Sequence, residues 1–402
     1  MRILILATDI YTRGGIARQT YTLASALADL VESVEVLALL AYGDPGDVRP
    51  RFRVWGPMGA QPTAAAKLLF AGKALALGRR HYDLTVCSTP ASAPVAAALR
   101  AVYGTPYWVV CHGTEVWGPL PWLKRLALRH AALLLPVSRF TAEKLATVHG
   151  MTRLAILHNA IPQEFERLLT APAGAAGAEG EAVPGERLLL SVGSLTRAHA
   201  YKGFDTVLRA LPLARQRVPN LRYVIVGEGD DRARLENLAR ELGLENCVTF
   251  ARSVSNAQLA EYYRACDALV LPSKTARRAG AWEGEGFGRV YVEAALAGKP
   301  VVGSRQGGAA EAVLDGQTGL LVDPTSVEET ARAITALLEN PTAATQMGQQ
   351  GREWARERFT EEALRRELGG LLKEGVRCGE EVSGARGAVA VSDRPIGRSA
   401  SQ

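Results

Sequence analysis

The stretch GEGFGRVYVEAALAGKPVVG, residues 284–303, places two glutamates eight positions apart, Glu285 and Glu293. A helix turns once in about 3.6 residues, so that spacing puts the two carboxylates near one face, a little over two turns apart. Ahead of the helix, Gly286, Phe287 and Gly288 form a turn that can expose backbone N–H groups, with Glu285 at its mouth. Glu293 lies in the otherwise apolar VYVEAALAG, and a carboxylate there requires a partner or a ligand. Four residues onward, Glu285 meets Arg289, which stands on the glycine turn itself, and Glu293 meets Ala297. Neither glutamate is therefore expected to have a cation on its helix. Vicinal hydroxyls, as on ribose or a sugar, suit such a group, because a carboxylate accepts two hydrogen bonds.

Ligands of open parallel sheets bind beyond the carboxyl ends of the strands, which directs attention to the turns after strands. Gly14 and Gly15 follow the first strand pattern and precede a helix, where glycines let backbone N–H groups approach an anion. VGSLTRAHAYKGFD, residues 192–205, brings Arg197 and Lys202 to a strand end, and a diphosphate needs such charges. His112 comes directly after an apolar strand in CHGTEVWG. Read alone, the glycine pair is more often a tight turn and the two cations more often solvated loop charges, while His112 stands evenly between a structural and a functional histidine. IVGEGDD, residues 225–231, fails as a dinucleotide fingerprint, since Arg232 stands where its third glycine belongs.

The elements that must position these residues repeat one pattern. Apolar runs at 2–8, 34–40, 83–88, 106–113, 131–138 and 154–160 alternate with helical segments, and the alternation restarts at 187–195, 221–229, 247–250, 267–273, 299–304 and 319–323. Strands separated by helices predict parallel sheets covered on both faces, hence an α/β chain with two Rossmann-like, doubly wound domains. The first is expected over 1–169 and the second over 187–375, with its last helix crossing back to the first. Between them, residues 170–186 are a low-complexity run of Ala, Gly, Pro and Glu that reads as a linker, and 376–402 reads as a disordered tail.

Composition narrows the function classes. At 402 residues, 48% apolar and 22% charged, the chain suits a globular protein of two domains. No uncharged apolar run approaches the roughly 18 residues of a membrane span, and MRILILATDI enters a strand without signal-peptide features. Cys87, Cys111, Cys247, Cys266 and Cys378 are scattered, as expected for reduced thiols in a cytoplasm. The net charge of +6 lies in the first half, where residues 1–170 carry 18 Lys+Arg against 11 Asp+Glu. No basic stripe interleaved with aromatics accompanies it, so a nucleic-acid partner is not expected. An anionic membrane surface is a candidate instead, because 64–80 and 119–135 combine exposed-looking apolar residues, including Trp122, Leu123 and Leu126, with Lys and Arg.

The segment EGEGFGRVYVEAALAGKPVVGSRQGGAAEAVLDGQTGLLV resembles the signature of glycosyltransferase family 4, whose pattern is a glutamate, seven residues and a second glutamate. GGIARQTYTLASAL, HGTEVW, PVSRFTAEKL, LHNAI, YKGFDTVLRAL, VGEGDDRARLENLARELGL and QLAEYYRACDALVLPS resemble further segments of that family in the expected order. The resemblance implies the GT-B fold, in which two Rossmann-like domains face each other across a cleft. It also implies retaining, metal-independent transfer of a hexose from a nucleoside diphosphate, UDP or GDP, with no cofactor beyond that donor substrate. The implied acceptor is a glycan or a lipid-linked sugar in polysaccharide or lipopolysaccharide synthesis, acting at the cytoplasmic face. A soluble acceptor, or a nucleotide-sugar-binding paralogue with little catalysis, are the alternatives.

By the same resemblance, Glu293 holds the ribose hydroxyls. Glu285 lies near the transferred sugar with the amides of Gly286, Phe287 and Gly288. Lys202 meets the diphosphate, His112 lies by the reacting carbon, and Gly14 and Gly15 border diphosphate and acceptor. Retention without a nucleophile implies front-face attack, with the leaving phosphate taking the acceptor's proton; the glutamates are not a glycosidase pair. One departure matters, because the family's arginine after the glycine is Ser194 here. Arg197 is expected to act with Lys202 in its place.

Overall fold

The computed structural model describes residues 1–10, 14–40, 51–172, 185–278 and 280–381. Most of the expected linker and the expected tail from 382 onward lie outside these residues, while 376–381, expected as part of that tail, continue the helix Glu361–Glu381. The first half holds β1 (Arg2–Ala7), β2 (Ser33–Ala38), β3 (Arg53–Trp55), β4 (Leu84–Cys87), β5 (Tyr107–Cys111) and β6 (Leu133–Pro136). They form one sheet in the order β3-β2-β1-β4-β5-β6, every pair parallel. Helices α1 (Gly15–Ala28), α2 (Ala64–Gly78), α3 (Ala93–Tyr103), α4 (Thr114–Trp117), α5 (Trp122–His130), α6 (Arg139–His149) and α7 (Gln163–Thr170) accompany it. Strands buried on both faces read as continuous apolar runs, and RILILA of β1 is such a run, with Ile3 to Ala7 fully buried.

The second half repeats the plan with β7 (Arg187–Val192), β8 (Leu221–Val226), β9 (Val248–Ala251), β10 (Ala268–Val270), β13 (Val301–Ser304) and β14 (Gly319–Val322) in the parallel order β14-β13-β10-β7-β8-β9. A separate antiparallel hairpin pairs β11 (Ala276–Arg278) with β12 (Ala281–Glu283). The helices are α8 (Phe204–Arg215), α9 (Arg232–Glu241), α10 (Asn256–Ala265), α11 (Arg289–Leu296), α12 (Val327–Glu339), α13 (Pro341–Arg358) and α14 (Glu361–Glu381). In each sheet the chain order reverses beside its first strand, at β1/β4 and at β7/β10. Such a switch point opens a crevice at the strand carboxyl ends. Helix α14 returns to the first half, where Arg365 Nη1 meets Asp29 Oδ2 at 2.7 Å.

Three details depart from the sequence reading. The apolar run 154–160 follows β6 only at its start, where Ala155 N donates to the Leu134 carbonyl at 3.0 Å and Leu157 N to the Pro136 carbonyl at 2.9 Å, and it forms no continuous strand. Its later backbone groups bond elsewhere: Ala160 N donates to Gln19 Oε1 at 3.0 Å and Ile161 N to the Phe359 carbonyl at 2.8 Å. The segment ties the two halves together instead. Strand β3 and the β11–β12 hairpin were not legible, because three-residue strands, one of them the exposed ARR, carry no hydrophobic period.

Candidate active site

The strands deliver four turns to the cleft. After β5 comes His112, whose ring Nε2 lies 2.8 Å from the Ser88 carbonyl beyond β4. A carbonyl only accepts, so Nε2 carries a proton and donates it there. Glu115 Oε1 accepts from the His112 backbone N–H at 2.5 Å and fixes the turn. Gly113 has φ +147°, where a side chain would be strained.

Directly opposite, Gly286 packs on this turn. A Cβ at 286 would lie 1.8 Å from the His112 carbonyl oxygen, so no residue but glycine fits. Phe287 anchors the same turn from below. It is buried, with its ring centroid 5.2 Å from Phe359 and 5.3 Å from His158. Phe287→Ala is expected to cost about 3 kcal/mol of unfolding free energy, read by urea denaturation. A cost below about 1 kcal/mol, as for a surface change, would show the turn to be held otherwise. Gly288, at φ +86°, starts α11 without a side-chain cap; Tyr291 N donates to the Gly288 carbonyl at 3.0 Å, which leaves the Arg289 and Val290 amides for a ligand.

After β7, the loop from Gly193 leads through a 3-10 turn, Arg197–Lys202, into α8. The Lys202 side chain runs beneath Gly193, where a Cβ would meet its Cδ at 2.9 Å. Its Nζ reaches Glu285 Oε2 at 2.8 Å, and both side chains are largely buried. Burial opposes the ammonium, but the Glu285 carboxylate and the Tyr201 phenol together outweigh it, and the Lys202 pKa is raised. Lys202 is therefore a fixed cation at the centre of the cleft.

Glu293 is 4% exposed, and Tyr263 donates its hydroxyl to Oε2 at 2.7 Å. Burial first, and the glutamate second, hold the Tyr263 phenol well above its usual range, so it remains a donor. Glu293 Oε1 lies 3.9 Å from Arg289 Nη2. The expectation that neither glutamate has a cation on its own helix is thus corrected for Glu293. Arg289 stands four residues before Glu293, a direction the forward i+4 reading passed over, and Lys202 reaches Glu285 from another element. Arg289 also crosses the cleft, donating from Nη1 to the Gly15 carbonyl at 3.2 Å.

The structure brings His112, Gly14 and Gly15, Lys202, Glu285 to Gly288 and Glu293 into this one chain of contacts. Arg197 is not part of it. Its side chain is exposed, its backbone N–H donates to Asp230 Oδ1 at 2.8 Å, and its guanidinium bonds to no described residue. Ser194 turns its hydroxyl to Thr196 Oγ1 at 3.3 Å. Sequence reasoning missed Arg289 and Tyr263 as well as Glu311, whose carboxylate joins the halves by accepting from Phe140 N at 3.1 Å and meeting His158 Nε2 at 3.4 Å. Tyr263 and Glu311 carry no local sequence signal. Among the described residues no group of three His, Cys, Asp or Glu is placed to hold a metal ion.

Two doubly wound domains with the site between their switch points define the GT-B class. Solved structures share that fold: sucrose-phosphate synthase of Thermosynechococcus elongatus superposes with a TM-score of 0.74 at 23% identity, covering 94% of this chain and 99% of that one. HepE of Anabaena, solved with UDP and glucose, gives 0.73 at 21% identity, covering 93% and 100%. The family models for Glycosyltransferase Family 4 and Glycosyl transferases group 1 match residues 13–165 and 178–354. The chain belongs to this family, glycosyltransferase family 4 (group 1). Curated relatives include the GDP-mannose-dependent alpha-(1-6)-phosphatidylinositol monomannoside mannosyltransferases of Mycolicibacterium smegmatis and Mycobacterium tuberculosis. The first is 37% identical over 61% of this chain and 64% of its own length, the second 34% identical over 65% and 68%.

Proposed function

We propose that the chain transfers mannose from GDP-mannose to a lipid-anchored acceptor, with retention of the anomeric configuration. The observation that carries the reaction is the convergence of Lys202, Glu285, His112 and the uncapped start of α11 on one cleft between the domains. The donor and acceptor classes are supported by the mycobacterial relatives. Glu293 takes the ribose diol, and the diphosphate lies against Lys202, the first-turn amides of α11 and the Gly14–Gly15 loop. The sugar lies between Glu285 and His112. The bond from the anomeric carbon to the leaving phosphate oxygen breaks as an acceptor hydroxyl attacks from the same face, and the departing phosphate takes that hydroxyl's proton. Negative charge grows on the diphosphate, where a fixed ammonium and aligned amides stabilise it most. Calorimetric titration with GDP, UDP and ADP tests the donor: GDP is expected to bind most tightly, and preference for UDP or ADP would contradict that choice.

The lipid acceptor accords with one face of the first domain. Among the described residues no helix is long and apolar enough to cross a membrane. Trp122 is 75% exposed and Leu68 73%, with Leu69, Val102, Leu123 and Leu126 also in solvent. These residues lie on α2, α3 and α5, and α3 packs against the other two. Lys67, Arg125 and Arg129 are exposed on the same helices. Apolar side chains amid cations suit an anionic bilayer surface. The protein is expected to sediment with phosphatidylglycerol vesicles, and Trp122→Asp/Leu126→Asp to weaken this at least about tenfold. Equal sedimentation of the double variant would remove this face from the account.

A further inference from the structure

The site as described lacks one component. Departure of a diphosphate calls for cations that can reach it, and position 194, after the glycine of the β7 loop, is a serine. Lys202 supplies one such charge, and the Glu285 carboxylate beside it offsets part of it. Arg197 points its guanidinium into solvent. Arg234, which borders the Ser194 loop, is engaged by both carboxylate oxygens of Asp231 at 2.7 and 2.5 Å. Arg289 differs from all of these.

Its side chain is 9% exposed, and Nη2 is buried without a hydrogen-bond partner. The nearest carboxylate oxygen, on Glu293, is 3.9 Å away, too far for a hydrogen bond. Burial lowers the Arg289 pKa, Glu293 counters it, and the neighbouring Arg18 lowers it further. Arg18 is itself bonded to Asn256 Oδ1 at 2.9 Å, so the unpaired donor is Nη2 of Arg289. A buried charged donor left unsatisfied is costly and marks a place for a ligand. The ligand called for is an anion with oxygen acceptors. Nη1 of the same guanidinium touches the Gly15 carbonyl, and the side chain springs from the uncapped N-terminal residue of α11. The unsatisfied amino group therefore sits beside the glycine loop and Glu293.

We propose that Arg289 binds the donor diphosphate through Nη2 and supplies from α11 the guanidinium that Ser194 cannot. This rests on the nucleotide-donor reading above. A planar guanidinium can keep the Gly15 carbonyl on one nitrogen and take a phosphate oxygen on the other. It then closes the glycine loop over the donor while neutralising the leaving group. Glu293, 3.9 Å away, holds the ribose on the same helix, so one helical turn reads ribose and phosphate together.

The test is calorimetric binding of GDP, UDP and ADP, and of the matching nucleosides, to wild type, Arg289→Gln, Arg289→Lys and Arg197→Ala. For the diphosphate that wild type binds, Arg289→Gln is expected to lose about 10- to 100-fold, with nucleoside affinity changed less than about threefold. Arg289→Lys keeps the charge without the fork and should lose a smaller factor, again for the diphosphate alone. It carries the test if Arg289→Gln fails to fold. Equal losses for nucleoside and diphosphate would overturn the proposal, since a purely structural tie to Gly15 would act that way. A diphosphate-selective loss in Arg197→Ala with none at Arg289 would return the role to Arg197. Failure of wild type to bind any of the three diphosphates would overturn the donor reading and this inference with it.

Discussion

Lys202→Ala is expected to lower kcat by about 10²- to 10³-fold, the range found when a preorganised group facing developing oxyanion charge is removed. The ammonium is largely buried and held 2.8 Å from Glu285, so it needs no reorganisation as the diphosphate departs. The substitution also strands the Glu285 carboxylate, which is costly in itself. The double variant Lys202→Ala/Glu285→Gln separates the two effects. Removing both charges should recover much of the lost unfolding free energy, because the stranded carboxylate is gone, while turnover stays low. Recovery of turnover together with stability would mean that Lys202 is a structural partner of Glu285 and no more. Single-turnover kinetics and urea denaturation on the same preparations read the two quantities.

Glu293→Ala is expected to weaken GDP binding by roughly 100-fold, from two hydrogen bonds to a charged acceptor at about 1.5 kcal/mol each. The variant also unpairs the buried Tyr263 hydroxyl and leaves Arg289 without its nearest carboxylate, so affinity alone would not prove a ribose contact. The ligand supplies the second leg of a cycle. Wild type should bind 2′-deoxy-GDP about tenfold more weakly than GDP, and the variant should bind the two alike. An undiminished preference for GDP in Glu293→Ala would place the ribose elsewhere.

Legibility followed the range of the interaction. The parallel strands announced themselves because burial on both faces demands continuous apolar runs such as RILILA. The glycines of the 286–288 turn were legible because the backbone requires them: Gly288 has a positive φ, and Gly286 lies against the His112 carbonyl. Lys202 and His112 were visible as strand-end residues, but only the resemblance to a family gave them roles. Pairings between distant elements left no trace. Lys202 with Glu285 spans 83 positions and Arg289 with Gly15 spans 274, and no local period records such contacts. The run 154–160 misled in part for the same reason, since it bonds to β6 only at its start and its end serves the junction between halves. Arg197 lies exposed in this structure, because sequence proximity to Lys202 does not fix where a long side chain points.

The account stands on transfer of a hexose from a nucleotide donor bound in this cleft. Its most direct test is incubation of the wild-type protein with GDP-mannose and a lipid acceptor bearing a sugar or inositol headgroup, with the product bond assigned by NMR. The account predicts equimolar GDP and mannosyl lipid, a linkage of the same anomeric configuration as the donor, and near-complete loss of both products in Lys202→Ala. GDP-mannose that binds without release of GDP, or a product of inverted configuration, would contradict it.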